Sequence, residues 1–273
     1  MEEVIFLFVL ALVWIIFASI QDLKKREVAN WISFSLIIFA LGFRFFYSLF
    51  SESFGFFYQG LIGLAIFFIL GNLLYYGRMF AGGDAKLMIA LGTVLPFSEN
   101  FFINLKVFFS FIFIFLLIGG IYGLTFSVFL SLRNFNEFKK QFFDRLKKNK
   151  RFSYCIMFVG IVLMGVGFLE GLFFVLGIIV FVFPYFYFYA KSVDESCMIK
   201  RIKSSELTEG DWLYEDVKIN NKIIKKSWEG LNAKDLGLIK KQNKVVLVRQ
   251  GIPFVPVFLI SFLVLLYLWF NGV

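Results

Sequence analysis

Long apolar runs separated by short charged segments dominate this chain. Runs close to the length that crosses a bilayer predict membrane-spanning helices, at residues 4–20, 31–50, 54–76, 87–96, 108–130, 153–168, 172–189 and 253–270. The run at 87–96 is short, and we expect it to lie inside the bundle with one end in water. Small residues within the runs are typical of close helix packing, namely Gly60, Gly63, Gly119 and Gly123. The predicted fold class is an all-α polytopic membrane bundle of about six to eight transmembrane helices.

A polar stretch near the C-terminus interrupts this pattern. Residues 216–226 alternate around Asn220-Asn221, which predicts a β-hairpin, and residues 244–249 predict a further strand. About 60 residues suffice for a small appended α+β domain. We therefore expect three regions: a transmembrane bundle over 1–189, a small cytoplasmic α+β domain over 190–252 and a C-terminal transmembrane helix over 253–273.

Composition narrows the possible chemistry. The chain is 60% hydrophobic with 42 phenylalanines, more apolar surface than a soluble protein of 273 residues can bury. It contains no histidine, which excludes histidine-ligated metals and the Ser–His and Cys–His catalytic arrangements. Cys155 and Cys197 lack the CxxC spacing of zinc or redox sites.

The net charge of +9 is distributed unevenly. Segments on one predicted side of the membrane hold 26 of the 28 Lys and Arg residues, and the exceptions are Arg44 and Lys106. The positive-inside rule makes that side cytoplasmic, so we expect no nucleic-acid partner, although a basic patch for a polyanion is the alternative. The spacing of Phe138, Phe142 and Phe143 predicts an amphipathic helix on the anionic inner leaflet, with membrane lipids as partners.

Two aspartates lie where apolar runs meet charged segments. Asp22 follows the first run and Asp84 precedes the fourth, and the two crossings between them place both on the same face of the bilayer. Each has an ordinary structural explanation, because Asp84 could cap a helix and Asp22 could pair with a neighbouring basic residue. Gly82-Gly83 favours a functional interpretation, since glycines allow another chain to approach the carboxylate closely. Helix packing or a special backbone conformation are the alternatives for this pair.

The sequence around these aspartates resembles the type IV prepilin peptidases, a family of GxGD membrane aspartic proteases. The resemblance rests on DLKKREVANW at 22–31, GGDAKL at 82–87, EGDW at 209–212 and GIPFVP at 251–256. It is greatest for the archaeal branch that processes preflagellins (archaellins) and prepilins. Ala81 stands where the family has the first glycine of its motif, and the cysteine-rich region that accompanies N-methylation in bacterial relatives is not found.

The resemblance implies a membrane aspartic endopeptidase that removes the short basic leader from preflagellin or prepilin-like precursors at the cytoplasmic membrane face. Such substrates carry an apolar helix after the leader. Asp22 and Asp84 are then the catalytic residues that activate water, Gly82 and Gly83 line the substrate approach, and no cofactor or metal is implied. Asp84 opens a helix and Asp22 ends one, which favours Asp84 as the anion and Asp22 as the acid.

Two other functions compete with proteolysis. A transporter or channel could use Asp22 and Asp84 as a proton or cation relay, but a relay favours polar residues deep inside the spans. Here several spans hold almost none, and Arg44 is the main exception. A non-catalytic membrane scaffold leaves the Gly-Gly-Asp sequence unexplained.

Overall fold

The computed structural model describes residues 2–219, 222–228, 230–242 and 245–272. The elements in chain order are α1 (Glu2–Lys25), α2 (Asn30–Phe50), α3 (Gly55–Tyr76), α4 (Gly82–Leu91), α5 (Phe101–Arg133), α6 (Phe135–Lys148), α7 (Lys150–Val166), α8 (Gly171–Cys197), β1 (Ile199–Lys203), β2 (Trp212–Leu213), β3 (Val217–Ile219), β4 (Lys222–Ile224), α9 (Ala233–Lys240), β5 (Val245–Arg249) and α10 (Val255–Phe270). The predicted class, a helical membrane bundle with a small α+β part, is confirmed.

Apolar length supports a multi-pass membrane protein. Within the described residues, five helices are long and apolar enough to cross a bilayer: α1, α2, α3, α5 and α8. The helices α6 and α7 together form a sixth candidate that is bent by 77°, and α10 is apolar but shorter. The described residues thus contain five or six candidate spans, at the lower end of the six to eight predicted.

The chain packs as two compact units. One contains Met1–Leu124 with Ile252–Val273, and the other contains Thr125–Gly251. The division falls within α5, so it follows packing and not composition. The three regions expected from composition, with boundaries at 189 and 252, stay a prediction.

In the first unit, α4 is the central element. The helices α2 and α3 both pack against α4, while α1 packs against α2 and α10. Five apolar side chains of α4 are buried in one continuous core with residues of the surrounding helices: Ala85, Leu87, Met88, Ala90 and Leu91. A helix that is buried all round in this way needs no contact with lipid.

The short run at 87–96 connects the two ends of this unit. At one end Lys86 donates a hydrogen bond of 2.6 Å to the Oδ1 atom of Asn30, at the start of α2. At the other end Glu99 accepts a hydrogen bond of 3.3 Å from Ser53, in the turn between α2 and α3. The chain thus traverses the unit as a helix of 10 residues and a buried non-helical turn. Non-helical backbone is tolerated at membrane depth only where protein groups satisfy it.

Arg44 supplies the hydrogen bonds that this turn lacks. Its side chain is 0% exposed, in the apolar helix α2. It donates to four carbonyl oxygens: Thr93 at 2.8 Å, Phe56 at 2.9 Å, Val94 at 3.2 Å and Pro96 at 2.5 Å. The rigid fork of guanidinium donors suits several fixed acceptors at once. Arg44, one of the two basic residues outside the predicted cytoplasmic segments, therefore satisfies backbone carbonyls of the non-helical turn after α4.

Glycines allow the helices of this unit to approach closely. A Cβ atom on Gly63 would lie 2.1 Å from the carbonyl oxygen of Gly92, so α3 touches the end of α4 backbone to backbone. Gly60 lies against the Arg44 side chain, and Gly119 lies against Phe254. These contacts confirm the packing interpretation of three glycines, whereas a Cβ atom on Gly123 would meet no described atom within 4 Å.

The second unit joins a helical hairpin to a small sheet. The helices α7 and α8 run antiparallel, and their backbones meet at Gly160 and Gly177. After α8, strands β1, β5 and β2 form an antiparallel sheet in that order, and β3 pairs with β4. The hairpin predicted around Asn220-Asn221 has its paired strands, but those two residues and Lys244 lie outside the described residues. A separate apolar core, including Leu207, Ile239 and Val248, stabilises this part.

Candidate active site

Asp22 lies in the last turn of α1 and is almost entirely buried, at 6% exposure. Its Oδ2 atom accepts a hydrogen bond of 2.9 Å from the backbone N–H of Val255, the first residue of α10. The backbone N–H of Phe254 makes a further contact with the same carboxylate. The start of a helix carries a partial positive charge, so these donors offset part of the cost of burying an anion at Asp22.

Asp84 is the third residue of α4 and keeps part of its surface accessible. The helix begins after Ala81, so Asp84 is not the N-cap residue. Burial and the nearby charge of Asp22 raise the pKa of Asp84 to about 7, while the backbone N–H of Ala81 lowers it. The two predicted carboxyl groups therefore lie within electrostatic range of each other, at the same end of the unit.

The loop between α1 and α2 brings the two motifs together. Arg26 ends α1 with a positive φ of 57°, and its N–H donates to the carbonyl oxygen of Asp22 at 2.7 Å. This left-handed residue turns the chain back toward α4. Val28 is then buried against the backbone of Gly83. The charge of Arg26 also acts on Asp22.

The two motif glycines have different surroundings. A Cβ atom on Gly83 would lie 3.2 Å from the Cβ atom of Val28, which is tighter than ordinary contact. A Cβ atom on Gly82 would have only Tyr75 near it, at 3.8 Å. Gly83 thus allows the α1–α2 loop to pack closely. A role of either glycine in substrate approach stays a prediction, and Gly82 suits that role better than Gly83 because the space around it is more open.

Three residues near Asp22 were not named as site residues from the sequence. Phe254 and Val255 belong to the motif at 251–256, which carried part of the resemblance without a role. Tyr122, on α5, lies within electrostatic range of both Asp22 and Arg26. An isolated tyrosine in an apolar run gives no signal of this kind, so only the fold reveals it.

Asp22 lies beside the end of a second helix as well as at the end of its own. The end of α1 disfavours an anion at Asp22, but the start of α10 lies directly against its carboxylate and supplies a backbone donor. The pKa of Asp84 is raised to about 7, so this carboxyl group can carry a proton near neutral pH. The described residues contain no group of three or more His, Cys, Asp and Glu side chains that could hold a metal ion.

Comparisons with known proteins find similarity over part of the chain. The preflagellin peptidase of Methanocaldococcus jannaschii is 32% identical over 89 residues, and that of Methanococcus maripaludis is 29% identical over the same length. Each alignment covers 33% of this chain and 38% of the relative. No solved structure matches. Residues 9–127, which contain both aspartates, match the type IV leader peptidase family, so the resemblance to prepilin and preflagellin peptidases is confirmed for this part of the chain.

Proposed function

We propose that this chain is a membrane aspartic endopeptidase that removes the basic leader from preflagellin or type IV prepilin-like precursors. The observation that carries the proposal is the convergence of Asp22 and Asp84, from two separate helices, at one end of the first unit. The names of the similar proteins support preflagellin as the substrate class. Their alignments cover about a third of this chain, so activity and substrate are part of the proposal.

In the proposed mechanism the two carboxyl groups share one proton. Like charges at short range cannot both ionise without cost, so one carboxyl stays protonated. Asp22, whose anion accepts the Val255 N–H, acts as the general base on a water molecule. Asp84 donates its proton to the carbonyl oxygen of the scissile peptide, a role that a pKa of about 7 suits at neutral pH.

The position of the pair suits substrates that are half membrane-embedded. Both aspartates lie at the end of the unit that carries the α1–α2 loop, where basic residues are concentrated. The positive-inside rule favours the cytoplasmic face for this end. An apolar substrate helix can remain in the bilayer there while its charged leader stays in water.

Single substitutions test the dyad. Asp22→Asn and Asp84→Asn should each reduce cleavage of a preflagellin in isolated membranes by at least about a thousandfold, because neither carboxyl can serve as both base and acid. Asparagine retains an oxygen that can accept the Val255 N–H, so melting in detergent should change little for Asp22→Asn. The matched control is Asp144→Asn, on the exposed surface of α6. Substantial cleavage by either dyad variant would refute the assignment.

The relay hypothesis is distinguished in the same preparation. Wild-type protein in liposomes should cleave the precursor without increasing proton or cation flux. Flux that depends on both aspartates, with no cleavage of preflagellin or prepilin, would favour the relay.

A labelling experiment tests the membrane face. A cysteine introduced at Ser51, in the α2–α3 turn, should react with an impermeant thiol reagent from outside intact cells. A cysteine introduced at Lys140, exposed on α6, should react only after lysis. The native Cys197 is buried and is therefore a poor reporter.

A further inference from the structure

A cleft in the second unit lies at the corner where α6 meets α7 beside α8. Its volume is about 540 Å³, and it is open on one side. Lys148 and Asn149 contribute from the end of α6, Phe152 from α7, and Tyr187 and Lys191 from α8. No residue of this cleft belongs to the candidate active site.

The lining of the cleft combines basic side chains with aromatic rings. Lys148 and Lys191 are both exposed, and Lys191 donates a hydrogen bond of 3.3 Å to the Oη atom of Tyr187. Its ammonium group also lies 5.6 Å from the centre of the same ring. Two of the rings that line the cleft are about half exposed, namely Phe152 and Tyr187. The lining therefore offers two amines together with accessible aromatic surface.

The other charged groups leave the cleft positive. Arg145 lines it as well, but its guanidinium is paired with the carboxylate of Glu195. Asp144 is the acidic residue among those that line the cleft. Lys191 also lies within electrostatic range of Asp194, whose carboxylate is paired with Arg249. The charges of Lys148 and Lys191 together exceed that of Asp144, so the lining keeps a net positive charge.

The position of the cleft matches the headgroup region of a bilayer. The helix α8 is long and apolar enough to span the membrane, and α7 packs antiparallel to it. The helix α6 is bent by 77° from α7, so it runs close to the membrane plane when α7 is upright. It has no buried residues and combines a stacked Phe138–Phe142 pair with several lysines. Helices of this composition lie in the membrane interface.

We propose that this cleft binds a membrane lipid with an anionic phosphate headgroup. The phosphate lies between Lys148 and Lys191, and the first part of the hydrocarbon chains lies along Phe152 and Tyr187. Phosphate is the shared chemistry of a lipid headgroup and a free phosphate ester, and the aromatic wall favours the lipid because a free ester has no apolar part to cover it. The proposal is independent of the peptidase activity.

Lipid binding by the purified full chain tests the proposal. We would measure binding of phosphatidylglycerol, phosphatidylcholine with the same acyl chains, and glycerol phosphate, by native mass spectrometry and by thermal stabilisation in detergent. Each basic residue near an anionic lipid surface contributes about fivefold in affinity, so Lys148→Gln with Lys191→Gln should weaken phosphatidylglycerol binding by about 30-fold. The matched control, Lys139→Gln with Lys140→Gln, removes the same number of positive charges from α6 outside the cleft and should retain wild-type affinity.

Each other outcome overturns the proposal. Equal binding of the two phospholipids would mean that the cleft does not recognise negative charge. Equal stabilisation by glycerol phosphate would make it a phosphate site without a lipid. Equal weakening in the control variant would reduce the effect to general surface charge. If the glutamine variant fails to fold, Lys148→Arg with Lys191→Arg should still bind phosphatidylglycerol selectively, and loss of that selectivity would also refute the site.

Discussion

Replacing Arg44 by methionine should destabilise the first unit strongly. Arg44 is completely buried and donates to carbonyl oxygens of Phe56, Thr93, Val94 and Pro96. Methionine fills a similar space without a charge, but it leaves all four acceptors without the guanidinium. The turn after α4 then has to find other donors in a part of the protein that water does not reach readily.

The magnitude follows from two opposing contributions. Hydrogen bonds from a charged donor contribute about 1.5–3 kcal/mol each, or roughly 6–12 kcal/mol for four. Burying the guanidinium costs several kcal/mol, and methionine removes that cost. We therefore expect the free energy of unfolding to fall by about 4 kcal/mol, because four carbonyl oxygens lose a charged donor while the cost of burying the guanidinium is removed. At about 2–4 °C per kcal/mol, the melting temperature should fall by about 10 °C.

Melting in detergent, followed by tryptophan fluorescence, measures this effect. Arg44→Lys should give an intermediate loss, because one ammonium group with three donors cannot reach four separated carbonyls. Lys106→Met is the matched control, since Lys106 is the other basic residue outside the predicted cytoplasmic segments and is exposed on α5. An Arg44→Met protein that melts within about 2 °C of the wild type would refute the claim that these bonds hold the turn.

Three further predictions concern α4 and its neighbours. Gly63→Ala should lower the free energy of unfolding by about 2–3 kcal/mol, because its Cβ atom would lie 2.1 Å from a carbonyl oxygen of the turn after α4. The control is Gly120→Ala, whose Cβ atom would meet no described atom within 4 Å and which should leave melting unchanged. Gly83→Val should lower both the melting temperature and leader cleavage, since the valine side chain presses on the buried α1–α2 loop. Gly82→Val should block cleavage without lowering the melting temperature. If Gly82→Val lost as much stability as Gly83→Val, that result would argue against substrate approach at Gly82. Because the pKa of Asp84 is raised from 3.8 to about 7, the folded state binds its proton more tightly than the unfolded chain. This stabilisation is complete below pH 3.8 and is lost as the pH rises through 7, so the melting temperature should fall over that range, and Asp84→Asn should flatten the fall.

The sequence predicted those features that depend on local composition. Apolar runs of sufficient length predicted the membrane helices. The strand predicted at residues 244–249 is confirmed as β5. Asp22 and Asp84 could be identified because each lies at a boundary between an apolar run and a charged segment. The role of Arg44 was not predictable in this way, because its acceptors are backbone carbonyls that become available only where α4 stops short.

The proposed roles of the two aspartates, Asp22 as base and Asp84 as acid, show why helix ends in the sequence are an incomplete guide to electrostatics. Each carboxylate was assigned the partial charge of its own helix, which makes Asp84 the anion. A carboxylate responds to every donor nearby, and one donor to Asp22 is the N–H of Val255, 233 positions away in the chain. The start of α10, which follows the second unit in sequence but packs in the first, therefore contributes to the field at Asp22. It follows that substitutions at the start of α10 that displace this N–H should reduce cleavage even though α10 lies outside residues 9–127.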